Sequence, residues 1–136
     1  SPKNILIGPK GPIFLDAECA WYGDPAFDLA FCLNHFLLKC LHLPKAKELY
    51  LASFKRLTAS YLQTLCSSHA GEIEKRAAQL IPGLLLARID GKSPVEYITQ
   101  EKEKNLARRT AKALLKNPVS RLADLNDRWQ GELKGE

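Results

Sequence analysis

Residues 24–43 read Asp-Pro-Ala-Phe-Asp-Leu-Ala-Phe-Cys-Leu-Asn-His-Phe-Leu-Leu-Lys-Cys-Leu-His-Leu and constrain the fold more than any other stretch. Asp24 suits a helix N-cap and Pro25 the first helical position, and Asp28 falls in the first turn near the positive end of the dipole. From there apolar side chains go nearly all the way round a period of 3.6. Such a helix is buried on every side and needs other helices packed about it. Asp28, Asn34, His35, Lys39 and His42 interrupt the run. A membrane span needs about 20 mostly apolar residues without such charges, so the segment predicts a central core helix and not a span.

The surrounding sequence supplies the partners. Residues 4–7 and 12–16 read as two short strands, with Gly8-Pro9-Lys10-Gly11 as turn chemistry between them. Pro44 opens a second helix whose Tyr50, Phe54, Leu57, Tyr61 and Leu65 share a stripe, and residues 67–71 read as its end. A third helix follows with Ile73, Ala77, Leu80 and Leu84 inward and a kink expected at Pro82. Residues 89–94 predict a loop, 95–100 a short helix, and 101–116 a longer one. Asn117-Pro118 breaks the chain before a last helix from Val119 to about Leu133. The fold class is therefore mainly α: a short β-hairpin followed by five to six helices. With 136 residues the chain is one domain with room for a core.

Charge is unevenly placed. Residues 1–28 carry Lys3 and Lys10 against Asp16, Glu18, Asp24 and Asp28, two positive against four negative, a net of −2. Residues 102–121 carry seven basic side chains against Glu103 alone. There Lys102, Arg109, Lys112 and Lys116 form one helical stripe, and Leu106, Thr110, Ala113 and Leu114 another. This is an amphipathic helix with a solvated basic face, and it lacks the aromatic partners that nucleic-acid binding would need. Cys32 with His35 and Cys40 with His42 have no zinc-finger or ribbon spacing. Cys19, Cys32, Cys40 and Cys66 read as small reduced thiols, which point to the cytoplasm.

The acidic end carries the candidate chemistry. The hairpin should bring Asn4 and Asp16 to the same end, where an amide oxygen and a carboxylate are ligands for a hard cation such as Mg²⁺. Asn4-Ile-Leu, the hairpin, Asp16-Ala-Glu18 and Gly23-Asp24-Pro25-Ala-Phe-Asp28-Leu-Ala together resemble the aminoglycoside phosphotransferase and choline kinase-like family. Those are small-molecule kinases with a protein-kinase-like fold. In them a catalytic loop, His-Gly-Asp-x-x-x-x-Asn, is followed by Ile-Leu, a hairpin, Ile-Asp-x-Glu and a Gly-Asp-Pro-x-x-Asp-Leu-Ala helix start.

The resemblance implies that residues 1–136 are the helical C-terminal lobe of such a kinase, with a metal-binding hairpin over residues 1–24. It implies Mg²⁺ and ATP as cofactor and co-substrate, and a small molecule with a hydroxyl as acceptor. Asn4 and Asp16 map to the metal-binding positions. Asp28, supported by Asp24, maps to a buried brace that accepts backbone N–H groups of the catalytic loop. Glu18 maps near the metals or reads equally well as a solvated loop residue, and Lys3 reads as exposed, with an approach to a transferring phosphate as the alternative. The catalytic base is expected upstream of Ser1, so none lies in this chain. The nucleotide-binding lobe is likewise expected upstream, since the chain contains no Met to start from. Arg88 and Asp90 suggest an internal ion pair. Mostly basic helices from Lys45 to Arg121 weigh against a cationic, aminoglycoside-type acceptor. The alternative is a non-catalytic interaction domain or pseudokinase lobe.

Overall fold

The computed structural model describes residues 2–135 apart from 19, 21 and 66. A single 3₁₀ turn at Pro2–Asn4 leads into strand β1 (Ile5–Gly8), which pairs antiparallel with β2 (Gly11–Phe14). Gly8 faces Gly11, so Pro9-Lys10 form a two-residue loop, and Gly11 sits at φ 121°, a conformation that Gly alone adopts readily. The hairpin contributes nothing to the core. Leu6, Ile7, Ile13, Phe14 and Leu15 are all exposed.

Helix α1 (Pro25–His42) begins as the sequence predicts. Asp24 Oδ1 accepts a hydrogen bond from the Ala26 N–H at 3.0 Å, and Pro25 occupies the first turn. A 3₁₀ turn at Pro44–Ala46 then leads into α2 (Lys47–Thr64). Helix α3 (Ser67–Asp90), α4 (Glu101–Lys116) and α5 (Leu122–Lys134) complete the domain. Packing centres on α1 against α2 and α3, with α4 laid on α3 and α5 closing against α2 and α3. Leu33, Leu37 and Leu38 of α1, Phe54 of α2, Ile81 and Leu85 of α3, Leu106 and Leu114 of α4, and Leu125 and Trp129 of α5 are the large buried side chains. Among the described residues no helix is long and apolar enough to cross a membrane.

Five details differ from expectation. Residues 67–71 open α3 and do not close α2. The inward stripe of α3 is Ile73, Ala77, Ile81, Leu85 and Ile89, with Leu80 and Leu84 only half-buried. Residues 95–100 form a turn and not a helix. Val95 and Ile98 are nevertheless buried, and the Val95 N–H donates to the Arg88 carbonyl at 2.8 Å. Ala113 is exposed, and Ala107 and Ala111 take its place on the apolar side of α4. Finally, α5 starts at Leu122 and not at Val119. Its first free N–H, that of Leu122, donates at 3.0 Å to Glu74 Oε1 of α3, a cap supplied from a neighbouring helix.

Candidate functional site

The hairpin does bring Asn4 and Asp16 together. The Leu15 N–H donates to the Asn4 carbonyl at 2.8 Å, which extends the ladder one step beyond Ile5 opposite Phe14. Asp16 then leaves the strand at φ 62°, the one described non-glycine residue in the left-handed region. Asp tolerates that region better than most residues, and one found there merits a functional question. The result is a contact across the open end of the hairpin: Asn4 Nδ2 donates to Asp16 Oδ2 at 2.7 Å. Asp16 is exposed and Asn4 half-buried, so both remain within reach of solvent.

Both residues line a cleft of about 930 Å³. Its floor is a single stripe of α1, and its far wall is the end of α3 with the connection to α4. Asp28, Phe31, His35 and Lys39 form the floor, while Arg88 and Tyr97 stand on the far wall. Lys3 lines the cleft and is exposed, whereas Glu18 is exposed and does not line it.

Asp28 departs from expectation. It faces the same cleft as Asn4 but is exposed, and among the described residues it accepts no hydrogen bond. The buried face of α1 carries Ala26, Leu29, Ala30, Leu33 and Leu37, and Asp28 lies off that face. Its expected burial is therefore corrected: Asp28 is an exposed carboxylate at the cleft. Asp24 does more than cap. Arg76 of α3 reaches it with Nε to Oδ2 at 2.8 Å and Nη2 to Oδ1 at 3.1 Å, and the guanidinium with the Ala26 N–H holds its carboxyl below the usual carboxylate range. The pairing of Arg88 with Asp90 is also corrected. Asp90 accepts from Arg108 of α4, which holds its carboxyl low, and Arg88 Nη1 donates to the carbonyl and the hydroxyl of Ser93. Residues two apart on a helix do not face each other, so the first pairing had no geometry to support it.

His35 and Tyr97 are the site residues that sequence reasoning missed. They lie 62 positions apart and share a hydrogen bond of 3.3 Å between His35 Nδ1 and the Tyr97 hydroxyl. No local pattern links them. His35 is only 6% exposed and its Nε2 has no partner. Burial, followed by the charge of Arg88 and then smaller contributions from other cations including Lys39 and Lys3, pushes its pKa down to about 4, so the ring is neutral near pH 7. Burial pushes the Tyr97 phenol up to about 12. Lys39 Nζ lies 3.9 Å from the centroid of the Tyr97 ring, and Phe31 packs edge-on to His35 with centroids 5.1 Å apart.

Of the cysteines, Cys40 is buried and its thiol is pushed up to about 12, chiefly by burial, while Cys32 is half-buried and raised for the same reason. Both fit the reading as inert thiols; Cys19 and Cys66 lie outside the described residues. The basic stripe of α4 is exposed at Lys102, Arg109, Lys112 and Lys116, and Arg109 is paired with Glu132 of α5 at 2.9 Å.

Comparisons with family models, with curated proteins and with solved structures returned no match.

Proposed function

We propose that this chain is the helical lobe of an ATP-dependent phosphotransferase acting on the hydroxyl group of a small molecule. The observation that carries the reading is the contact of Asn4 with Asp16 at the mouth of the large cleft. A carboxylate and an amide are the donor types that Mg²⁺ takes alongside nucleotide phosphates. The hydrogen bond uses Nδ2 and Oδ2, so Asn4 Oδ1 and Asp16 Oδ1 are the oxygens that a cation would take. The donor set fits the group. Mg²⁺-bound ATP would supply the phosphoryl group and the charge that offsets its transfer.

What the chain's own residues contribute is positioning, which carries most of the acceleration in phosphoryl transfer. Asp16 is fixed by the strand end and its left-handed backbone. Asn4 is fixed by the ladder bond through its own carbonyl. The α1 floor offers the acceptor the rings of Phe31 and His35 between two charged ends, Asp28 and Lys39. Asp28, exposed beside it, is placed to touch the acceptor or the cation's waters. In this reading none of the residues named here is the base that receives the hydroxyl proton, and the protein works in the cytoplasm.

A titration with Mn²⁺ in place of Mg²⁺ tests the reading. Paramagnetic broadening should centre on residues 4 and 16 and vanish in Asp16→Ala. Uniform weak broadening over all acidic side chains would remove the metal site and the phosphotransferase reading with it. A second reading has its own observation. The exposed Leu6, Ile7, Ile13 and Phe14 suit a surface that another polypeptide covers. A non-catalytic interaction domain would keep that surface and show no Mn²⁺ focus at Asn4 and Asp16.

A further inference from the structure

The cleft has two electrically different ends, and the residues of α1 set them. Asp28, Phe31, His35 and Lys39 are spaced by three, four and four, so they lie on one side of the helix. At about 1.5 Å per residue, Asp28 and Lys39 are roughly 16 Å apart along the floor. Asp28 marks the end nearer the start of α1. At the other end Lys39 is joined by Arg88 from α3. The α3–α4 connection adds one carboxylate to the cleft lining, the exposed Glu96, and no ion pair joins it to either cation among the described residues.

Several other cations of the domain carry a counter-charge. Arg76 is paired with Asp24, Arg108 with Asp90 and Glu101, and Arg109 with Glu132. Among the described residues Lys39 and Arg88 make no ion pair. Lys39 rests on the Tyr97 ring, and Arg88 donates to Ser93 through Nη1 while its buried Nε has no partner. A half-buried cation with no counter-charge, aimed into a cleft, calls for an anion to complete it. The neighbouring His35 does not compete for that anion, because burial first, and then nearby charges led by Arg88, hold its ring neutral.

We propose that Lys39, Arg88 and the Tyr97 hydroxyl bind the anionic head group of a hydroxyl-bearing small molecule. The cleft's acceptor is then a hydroxy acid or a polyol phosphate and not an amine. The inference rests on reading the cleft as an acceptor site, but the binding it predicts needs neither nucleotide nor metal.

The test is nuclear magnetic resonance titration of the 136-residue chain with four probes: D-glycerate, glycerol 3-phosphate, glycerol and ethanolamine. D-Glycerate or glycerol 3-phosphate should shift the resonances of His35, Lys39 and Tyr97 with a Kd in the millimolar range. Glycerol and ethanolamine should not. Lys39→Gln should weaken the anion about tenfold, the order expected for one hydrogen bond to a charged group, and Lys39→Arg should restore it. Affinity should fall with added salt. Thermal melts of both variants that match the parent show that the fold survives. Binding of ethanolamine at these residues, no anion binding, or anion shifts that ignore Lys39→Gln would each overturn the proposal. Loss of the Mn²⁺ focus at Asn4 and Asp16 with anion binding retained would sink the phosphotransferase reading alone. The reverse result would sink this one alone.

Discussion

His35 should make the fold lose stability as pH falls from 7 to 5, and the size of the loss follows from its surroundings. In the unfolded chain a histidine titrates near 6.5, and in the fold His35 titrates at about 4. The folded pKa is the lower one, so the unfolded state binds the proton more readily. Stability is therefore full above the unfolded pKa and falls with pH below it, until the folded ring also protonates. Linkage between those two values gives a loss of about 2 kcal/mol between pH 7 and pH 5. The low exposure of the ring, 6%, is why little of this is screened by solvent. With an unfolding entropy of roughly 2 cal/mol/K per residue, a chain of this length should melt about 7 °C lower at pH 5. Asp24 and Asp90 do not blur the window. Arg76 and Arg108 hold their carboxyls low, so their contributions persist down through pH 5 and fade only in stronger acid.

The assay is urea unfolding at a series of pH values, for the parent and for His35→Gln. The variant should lose the slope between pH 7 and pH 5, whatever its absolute stability. Direct observation of the His35 ring by nuclear magnetic resonance should give a midpoint near 4. An unchanged slope in His35→Gln, or a ring midpoint above about 6, would refute the argument that burial and the Arg88 and Lys39 charges hold the ring neutral.

The parts of the fold that were legible in the sequence are those fixed by local chemistry. Asp24-Pro25 sets the start of α1, and its all-round apolar pattern marks the core. Asn4 and Asp16 meet because a hairpin of this length must return to its own start. Where the sequence misled, a distant partner made the choice. Residues 80–86 of α3 are Leu-Ile-Pro-Gly-Leu-Leu-Leu, so several stripes fit equally well, and packing on α1 and α4 selects Ile81 and Leu85. The start of α5 is set by Glu74, 48 residues earlier. Residues 95–100 have apolar anchors like those of a helix, but the bond from Val95 to the Arg88 carbonyl holds them as a turn. Asp28 was misplaced for a different reason. Its spacing to Phe31, His35 and Lys39 was readable, and it puts Asp28 on the cleft side of α1 and not on the Leu29–Leu33–Leu37 side. The cleft itself was not readable, because its far wall comes from a connection about 60 residues away.

Two further substitutions probe the scaffold. In Gly91→Ala the new Cβ would lie 2.4 Å from the Ala87 carbonyl oxygen, a backbone atom that cannot rotate away. An overpacking cost of about 1–3 kcal/mol is expected, and a melting temperature within error of the parent in calorimetry would show that the end of α3 relaxes freely. Asp28→Asn should do the opposite and leave stability almost untouched. Asp28 is exposed and accepts no hydrogen bond among the described residues, so its removal leaves no buried donor unpaired. What remains is a first-turn charge near the positive end of the α1 dipole, with a contribution of about 0.5 kcal/mol or less at ordinary salt. Urea unfolding of the 136-residue chain measures it directly. A loss of about 2 kcal/mol or more is the size expected for a carboxylate that satisfies backbone N–H groups, and it would refute the reading of Asp28 as an exposed carboxylate that accepts no hydrogen bond.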